Sequence, residues 1–534
     1  MSLTEWRNSM LLKLIGMAIM LVAISLQIKY FVHMFQLNSY GEKTQFNWYS
    51  KNPGKLLPCI FVFMFGEAVF LCTNVFENAP LFFKDETDCI LLGVFALIMA
   101  FSYIENKNKT KKKLVFTTRV VRMYITDYIL VAILLVIGFF GGNSGFASVM
   151  MATAFTFIPA IVIFGNIINR PIEKSVRNHY INDAKNILKS HSNLKIIGIT
   201  GSYGKTSVKY YLNTLLKAKY NVLMTPESYN TPMGIVKTIR GNLKPVHEVF
   251  ICEMGAKKVG EIKEICDIVH PQDGIITSVG PQHLETFLSL DNVKKTKFEL
   301  ADSLPEDGYL LVNGNDENIK AYNYDRTKVT YGVTEDCDYY AYDIEVSSRG
   351  TEFSVKVGEE ECRFKTNIIG RHNVINIVGT IAMAHKMGIT LKELRPQVRK
   401  LEGVPHRLQL LGRNGITIID DAFNSNPTGS KAAIDTLALF EGTKILITPG
   451  MVELGSKEEE LNMEFGRYAA KVCDYIFLVG INRTKPIHKG IMEAGFDETK
   501  VKAFDTLTEA LDVMYALKDA DKVVLLENDL PDNY

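Results

Sequence analysis

The chain is 534 residues long, with 47% apolar and 22% charged residues and a formal net charge of +1. That length calls for several domains, and a balance of 60 basic against 59 acidic residues excludes the bulk positive field on which nonspecific nucleic-acid binding relies. The eight cysteines show neither a C-x-x-C pair nor metal-ligand spacing, which excludes a disulfide framework and a cysteine zinc site and fits reduced cytosolic thiols.

The apolar excess lies at the front of the chain. Runs of membrane-spanning length fall near 10–28, 56–76, 89–104, 124–140 and 146–168, which predicts about five spans within 1–170. The first is not a cleavable signal, because no small-residue cleavage site follows it and further runs do. Lys107, Lys109, Lys111, Lys112, Lys113, Arg119 and Arg122 crowd the third loop, whereas the second carries Glu77, Asp85, Glu86 and Asp88. The positive-inside rule then puts the third loop in the cytoplasm, with Arg170, Lys174 and Arg177 on the same side, and leaves the N-terminus outside despite Arg7 and Lys13. The expected location is a bacterial-type cytoplasmic membrane, crossed several times, with the remaining domains in the cytoplasm. Glu67 lies inside the second run, where a carboxyl is costly enough to be either functional or a protonated or paired structural group. Residues 171–194 read as a short polar helical linker.

Beyond the linker, β-branched runs at 195–200, 249–252, 274–279, 309–312, 416–419, 444–448 and 475–479 alternate with helical patterns, predicting βαβ units and largely parallel sheets. Residues 331–367 alternate like antiparallel strands flanking the first sheet, and a second α/β unit begins near 404. The fold expected is thus an α-helical membrane domain (1–170) followed by α/β, with a P-loop ATPase-like central domain (195–403) and a Rossmann-like C-terminal domain (404–534).

The strand at 195–200 feeds Gly201-Ser202-Tyr203-Gly204-Lys205-Thr206-Ser207. Glycines admit phosphate oxygens to backbone N–H groups, the opening helix adds partial positive charge, Lys205 reaches the β/γ-phosphates, and Thr206 suits Mg²⁺. Ile199 stands where the common G-x-x-x-x-G-K-[ST] pattern has its first glycine. Glu253 ends the next apolar strand, at the carboxyl edge where open α/β sheets bind ligands, and suits Mg²⁺. His283 reads either as a second cation ligand or as a loop histidine, and Lys297 alone as a helix-surface lysine. Gly370-Arg371-His372-Asn373-Val374-Ile375-Asn376 opens a helix with donors for a nucleotide, or simply caps it. Pro405-His406-Arg407 precedes a strand leading to Asp420-Asp421-Ala422-Phe423-Asn424-Ser425-Asn426-Pro427, too polar a stretch for a core.

Taken together, ITGSYGKTS, NTPMG (230–234), EMGA (253–256), GPQHLE (280–285), TKFE (296–299), GRHNVIN (370–376) and DDAFNSNP (420–427) stand in one order, and residues 195–534 resemble the Mur ligase family. The resemblance implies ATP-dependent amide formation in peptidoglycan precursor synthesis: a peptide carboxylate is phosphorylated, an amine attacks the acyl phosphate, and phosphate leaves. It implies ATP held by Gly201, Ser202, Gly204, Lys205, Thr206 and Ser207, and Mg²⁺ held by Thr206, Glu253 and His283. A carbamylated Lys297 would help place a second Mg²⁺, and Asn230 would lie near the acyl phosphate. Asn373 and Asn376 would approach the adenosine, while Arg407, Asp421 and Asn424 close over phosphate and ribose from the C-terminal domain. Within the family, EMGA with GPQHLE and GMVELG (450–455) resemble the members that add D-alanyl-D-alanine, so the resemblance implies that dipeptide or a similar amine, although the family often has an aspartate where this chain has Gly450.

The family's soluble sugar-nucleotide domain is replaced by apolar runs, so the expected acceptor is a UDP- or lipid-linked muropeptide, with the membrane and other cell-wall enzymes as neighbours. The alternatives are another amino-acid or polyamide ligase of the same superfamily, against which EMGA and GPQHLE count, and a transporter ATPase, for which no signature is apparent.

Overall fold

Local sequence punctuation sets the helices of the first unit, Met1–Asn178, in the computed structural model. The structure describes residues 3–74, 87–105, 113–141, 144–227, 229–282, 284–413, 416–423, 426–452, 454–519 and 521–529. The helices are α1 (Leu3–Leu37), α2 (Glu42–Lys51), α3 (Leu57–Asn74), α4 (Thr87–Glu105), α5 (Thr118–Phe140), α6 (Ser144–Thr156) and α7 (Ile158–Lys189). Small residues bring them together. A side chain at Gly16 would lie 2.5 Å from the Cys89 backbone, and one at Gly66 would collide with Ala152, so α1 packs on α4 and α3 on α6 nearly backbone to backbone.

Among the described residues, Met10–Leu37, Thr87–Ile104 and Thr118–Phe140 are long and apolar enough to cross a membrane, and α6 with α7 makes a fourth only if the pair counts as one span. The expectation of five is corrected accordingly. The run near 56–76 yields a shorter apolar helix, Leu57–Cys72, and the run at 146–168 is bent by 67° between α6 and α7. Pro159 explains the break: it has no N–H for the Phe155 carbonyl and its ring would strike that oxygen, so a straight helix cannot pass. Residues 171–189 are the end of α7 rather than a separate short helix. Glu67 is partly exposed on α3, whereas Glu77, Asp85, Glu86, Lys107, Lys109, Lys111 and Lys112 lie outside the described residues.

The second unit, His179–Leu530, holds two sheets. The first comprises β1 (Lys195–Thr200), β2 (Val222–Met224), β3 (Val249–Glu253), β4 (Asp273–Ile276), β5 (Leu310–Asn313), β6 (Val329–Gly332), β7 (Tyr339–Ser347), β8 (Gly350–Val357) and β9 (Glu360–Thr366), in the order β2-β3-β1-β4-β5-β6-β7-β8-β9. It is parallel as far as β7; β7, β8 and β9 then form an antiparallel meander that extends the same sheet. The second comprises β10 (Gln409–Arg413), β11 (Ile416–Asp421), β12 (Thr443–Thr448), β13 (Tyr475–Val479), β14 (Val501–Phe504) and β15 (Lys522–Glu527), in the order β10-β11-β15-β12-β13-β14. Only its β10–β11 pair is antiparallel among the pairings described.

Strand order reverses at β1, which pairs with β3 on one side and β4 on the other. Such a switch point opens a crevice beyond the strand ends. Because Ile199 pairs with Glu253 and Thr200 with Ile276, the three strand ends deliver their loops side by side. β4 stops at Ile276, short of the expected 279, because the next residues turn to serve the neighbouring loop: Ser278 O accepts from Ser202 N at 2.8 Å, and Ser278 Oγ from Tyr203 N at 2.7 Å.

Candidate active site

The loop after β1 is held by close approach. Gly204, at φ +81°, caps α8 (Lys205–Leu216) in a left-handed conformation, and a Cβ there would come within 2.7 Å of Asn376 Oδ1. A Cβ at Gly201 would collide with Thr277 Oγ1. Ser202 is buried and its hydroxyl exchanges hydrogen bonds with Gly280 (3.0 and 3.1 Å), tying the loop to the GPQ segment, while Ser207 lies on the buried face of α8. Lys205 Nζ folds back over the loop to donate to Gly201 O (2.6 Å) and Ser202 O (3.0 Å). Burial pushes its ammonium down to about 8, with Glu253 opposing and Arg407 reinforcing the shift.

Glu253, at the end of β3, is almost fully buried. Oε1 accepts from Thr206 Oγ1 and from Asn230 Nδ2, both at 3.1 Å, and Oε2 faces Lys209 Nζ at 2.9 Å. Burial works against its charge, but Lys209 and then Lys205 hold the carboxyl below the ordinary range. Lys209 also donates to Glu227 O at 2.5 Å, so it joins α8 to the loop that carries Asn230. Lys209 was not singled out in the sequence. It stands one turn after Lys205, between Val208 and Leu212 on the buried face of α8, and that pattern is the signal by which it was findable.

Lys297, on the helix Leu290–Ser303, is buried rather than on the surface, with Nζ 5.8 Å from the Phe287 ring centroid. Burial, then the charge of Lys205, drives its ammonium well below the ordinary lysine range. Asn373 turns inward, donating to Ile369 O (2.9 Å) and accepting from Tyr211 (3.3 Å), while Asn376 lies against the phosphate loop. From the second sheet, Arg407 Nη2 donates to Thr206 Oγ1 at 3.2 Å and its guanidinium sits 4.5 Å from the Phe423 ring centroid. Asp421 Oδ1 accepts from Leu408 N at 3.1 Å, and burial pushes this carboxyl up to about 6 against the pull of Leu408 N–H and Arg407. Asp420 pairs with His406 at 2.8 Å, which pins the loop presenting Arg407. Both carboxylates are in β11 itself rather than beyond it. His283 and Asn424 lie outside the described residues.

Lys205, Lys209 and Arg407 therefore gather around one carboxylate, with Lys297 near enough to Lys205 to feel its charge, a cationic excess suited to a polyanion. Among the described residues no group of three or more His, Cys, Asp and Glu is placed to hold a metal. The hard oxygens of Glu253 and Thr206, set beside that cationic loop, fit Mg²⁺ that arrives on phosphate oxygens. Gly450 is explained locally: it sits at φ +82°, where a Cβ would come within 2.8 Å of Ile487 and 3.0 Å of Asn462.

A switch-point crevice with a phosphate loop, a strand-end carboxylate and an arginine from a second α/β sheet defines an ATP-dependent enzyme closed over by its C-terminal domain. Residues 199–384 match the Mur ligase middle domain, and residues 406–527 the Mur ligase glutamate ligase domain. The chain is 31% identical over 329 residues to UDP-N-acetylmuramoyl-tripeptide--D-alanyl-D-alanine ligase of Bacillus subtilis, covering 61% of this chain and 70% of that one. To the Escherichia coli enzyme of the same name it is 30% identical over 293 residues, covering 54% and 64%. Among solved structures, MurF from Acinetobacter baumannii superposes with a TM-score of 0.60 at 24% identity, covering 67% of this chain and 78% of that one. MurF from Thermotoga maritima in complex with ADP does so with 0.60 at 24%, covering 66% and 80%. The protein belongs to the Mur ligase family of ATP-dependent ligases, with apolar helices where relatives carry their N-terminal domain.

Two predictions concern this site. Lys209→Met leaves the buried Glu253 without its counter-charge and should cost about 3–5 kcal/mol, read from urea unfolding, with part of the loss recovered in Lys209→Met/Glu253→Gln. Lys205 titrates near 8 in the free protein, and a bound triphosphate raises that value. ATP binding at about pH 8.5 should then take up roughly three quarters of a proton at Lys205, an uptake that fades by about pH 6, where the amine is already charged. Calorimetry in buffers of differing ionisation enthalpy measures it, and Lys205→Met should remove it.

Proposed function

We propose that the protein joins an amine, D-alanyl-D-alanine or a close relative, to the peptide carboxylate of a muropeptide presented at the membrane. The observation that carries this reading is the convergence of Lys205, Thr206, Glu253, Asn230 and Arg407 in a Mur ligase framework whose front is built of apolar helices. The named relatives act on a UDP-linked tripeptide and D-alanyl-D-alanine, and that donor is carried over from them.

In this reading the acceptor carboxylate attacks the γ-phosphate of ATP, ADP leaves, the amine attacks the acyl phosphate, and phosphate is expelled. Lys205 and Arg407 neutralise the charge spreading over the transferring phosphoryl group, which is how such transfers are chiefly accelerated. Thr206 and Glu253, with His283, would hold Mg²⁺, which when bound supplies further charge neutralisation. Asn230 is positioned by Glu253 and orients the acyl phosphate, and Asn376 with Asp421 and Asn424 frames the nucleotide. Burial, which disfavours the Lys297 ammonium, suits its amine to carbamylation, and the carbamate would put an anion beside Lys205 able to help hold a second Mg²⁺. Arg407 makes closure of the second sheet part of the reaction, since it excludes water from a hydrolysable intermediate. The membrane helices replace the sugar-nucleotide domain as the acceptor-binding or anchoring element, with the ATP site in the cytoplasm.

The direct test is turnover of the full-length protein on UDP-linked against polyprenyl-linked muropeptide, with D-alanyl-D-alanine and single amino acids as amines. A higher kcat/KM for the lipid-linked acceptor with the dipeptide is expected; a preference for the UDP-linked acceptor refutes the membrane assignment. Lys297→Ala should lower kcat by about 10²–10³, the scale of one lost electrostatic group, with partial rescue by short carboxylic acids. A wild-type rate in that variant would leave Lys297 without a catalytic part.

A further inference from the structure

The half of α7 that follows the break at Phe157 carries a face that none of the described residues covers. Phe157 (51% exposed), Phe164 (54%), Ile167 (41%), Ile168 (44%) and Ile172 (51%) recur at helical spacing, and Ala160 and Pro171 fall on the same exposed stripe. From 157 to 172 the stripe is apolar throughout, about 24 Å of helix at 1.5 Å per residue. The other face is buried, through Ile161, Asn166 and Asn169 among others. Apolar area of this extent marks contact with a protein or a membrane.

The contacts of the buried face show that this half of α7 does not run across the bundle. Near its start, Pro159 O accepts from Tyr49 Oη at 3.0 Å. Asn166 then donates to Glu42 (3.1 Å) and accepts from Arg119 (2.9 Å), and Glu173 meets Arg122 at 2.7 Å. Tyr49 and Glu42 belong to α2, which follows the end of α1; Arg119 and Arg122 lie in the first two turns of α5. Those two ends coincide, because Gln36 exchanges hydrogen bonds with Val115 (2.9 and 3.0 Å) just before α5 begins. The opposite end is where α6 starts, with Ser144 O facing Cys89 Sγ at the head of α4. Further along, Gly165 lies against Asp127 and Asn169 Nδ2 donates to Thr126 Oγ1 at 2.9 Å, both less than halfway along the 23 residues of α5. So from 159 to 173, about 21 Å of helix, α7 keeps to one end, where a crossing helix would have left it.

We propose that residues 157–172 form an in-plane helix lying at the headgroup–acyl boundary of one leaflet, with the apolar stripe in the acyl chains and an anionic lipid surface as its partner. Charge agrees with the partner. Arg170, paired with Glu42 at 2.6 Å but with a side chain 62% exposed, flanks the stripe, exposed Lys174 follows it, and exposed Lys113 precedes α5 at the same end. An amphipathic helix of this kind binds by apolar burial together with attraction to anionic headgroups, and the 67° bend after α6 is the turn from crossing the bilayer to lying along it.

The test is a nitroxide scan of 157–175, one site at a time, in full-length protein freed of its native cysteines and reconstituted in phosphatidylcholine–phosphatidylglycerol vesicles. Power saturation with oxygen and a nickel chelate reads depth. The expected result is oxygen accessibility with a period of about 3.6 residues, maximal at 160, 164, 168 and 172, with those four sites at one depth to within about 5 Å. Depth that increases steadily to the bilayer centre and falls again beyond it would mean a crossing helix and overturn the proposal. Labels on the stripe that are immobile and shielded from both relaxants would mean a protein partner, such as a second copy, and overturn it equally. Phe164→Trp in the unaltered cysteine background gives an independent reading, as the added quenching over wild type by lipids brominated at successive acyl positions. Strongest quenching by bromines nearest the headgroup is expected, and strongest quenching at the chain ends rejects an in-plane helix.

Discussion

Everything at the ATP site turns on keeping one carboxylate charged in a place where charge is expensive. Glu253 has almost no contact with water, and an isolated ion there would protonate or drive the strand apart. Lys209 supplies the opposing charge, Thr206 and Asn230 satisfy the other oxygen, and they come from two segments: α8, which carries Lys209 and Thr206, and the loop after β2, which carries Asn230. A carboxylate satisfied from three directions fixes where those segments meet, so the geometry of the phosphate loop, of the Asn230 loop and of the β3 end are one constraint rather than three. Lys209 extends it by gripping the Glu227 carbonyl, which ties the helix that follows the phosphate loop to the loop that carries Asn230.

The second sheet enters this arrangement through a short and heavily pinned connection. Arg407 reaches Thr206 only because the residues on either side of it are immobilised, His406 by Asp420 and Leu408 by Asp421. Both flanking residues have positive φ, 59° and 50°, a conformation that side chains other than glycine rarely adopt and that the two aspartates hold in place. The adjacent carboxylates of β11 thus work as a pair on the backbone that aims the arginine, which accounts for two acidic residues side by side at the end of a strand.

Much of the α/β part was legible because its signals are local. Strand residues 195–200 and 475–479 coincide with β1 and β13, and the glycine-lysine-threonine turn sits where a strand meets a helix. Where the reading failed, long-range demands had intervened. β4 is cut short because Thr277 and Ser278 are needed to brace the loop after β1, and nothing in their own sequence announces that. Lys297 looked like a surface lysine because burial depends on which face of its helix meets the sheet, and Lys209 escaped notice because a buried lysine is improbable until its carboxylate is known to be opposite it. In the first unit, hydropathy found the apolar stretches, but a sliding window is blind to Pro159, whose missing N–H decides where a helix must end.

The pairing of α3 with α6 has a consequence for the surrounding lipid. The two lie together, with Ala152 at Gly66 and Thr156 Oγ1 donating to Cys59 O at 2.9 Å, and both are short: α6 has 13 residues and α3 is apolar over Leu57–Cys72. At 1.5 Å per residue they measure roughly 20 and 24 Å, well under the ~30 Å of an ordinary hydrocarbon layer, while α1 and α5 are long enough to match it. A bilayer enclosing this bundle would meet a short pair and full-length helices side by side, and acyl chains beside α3 and α6 would have to shorten or splay to match them.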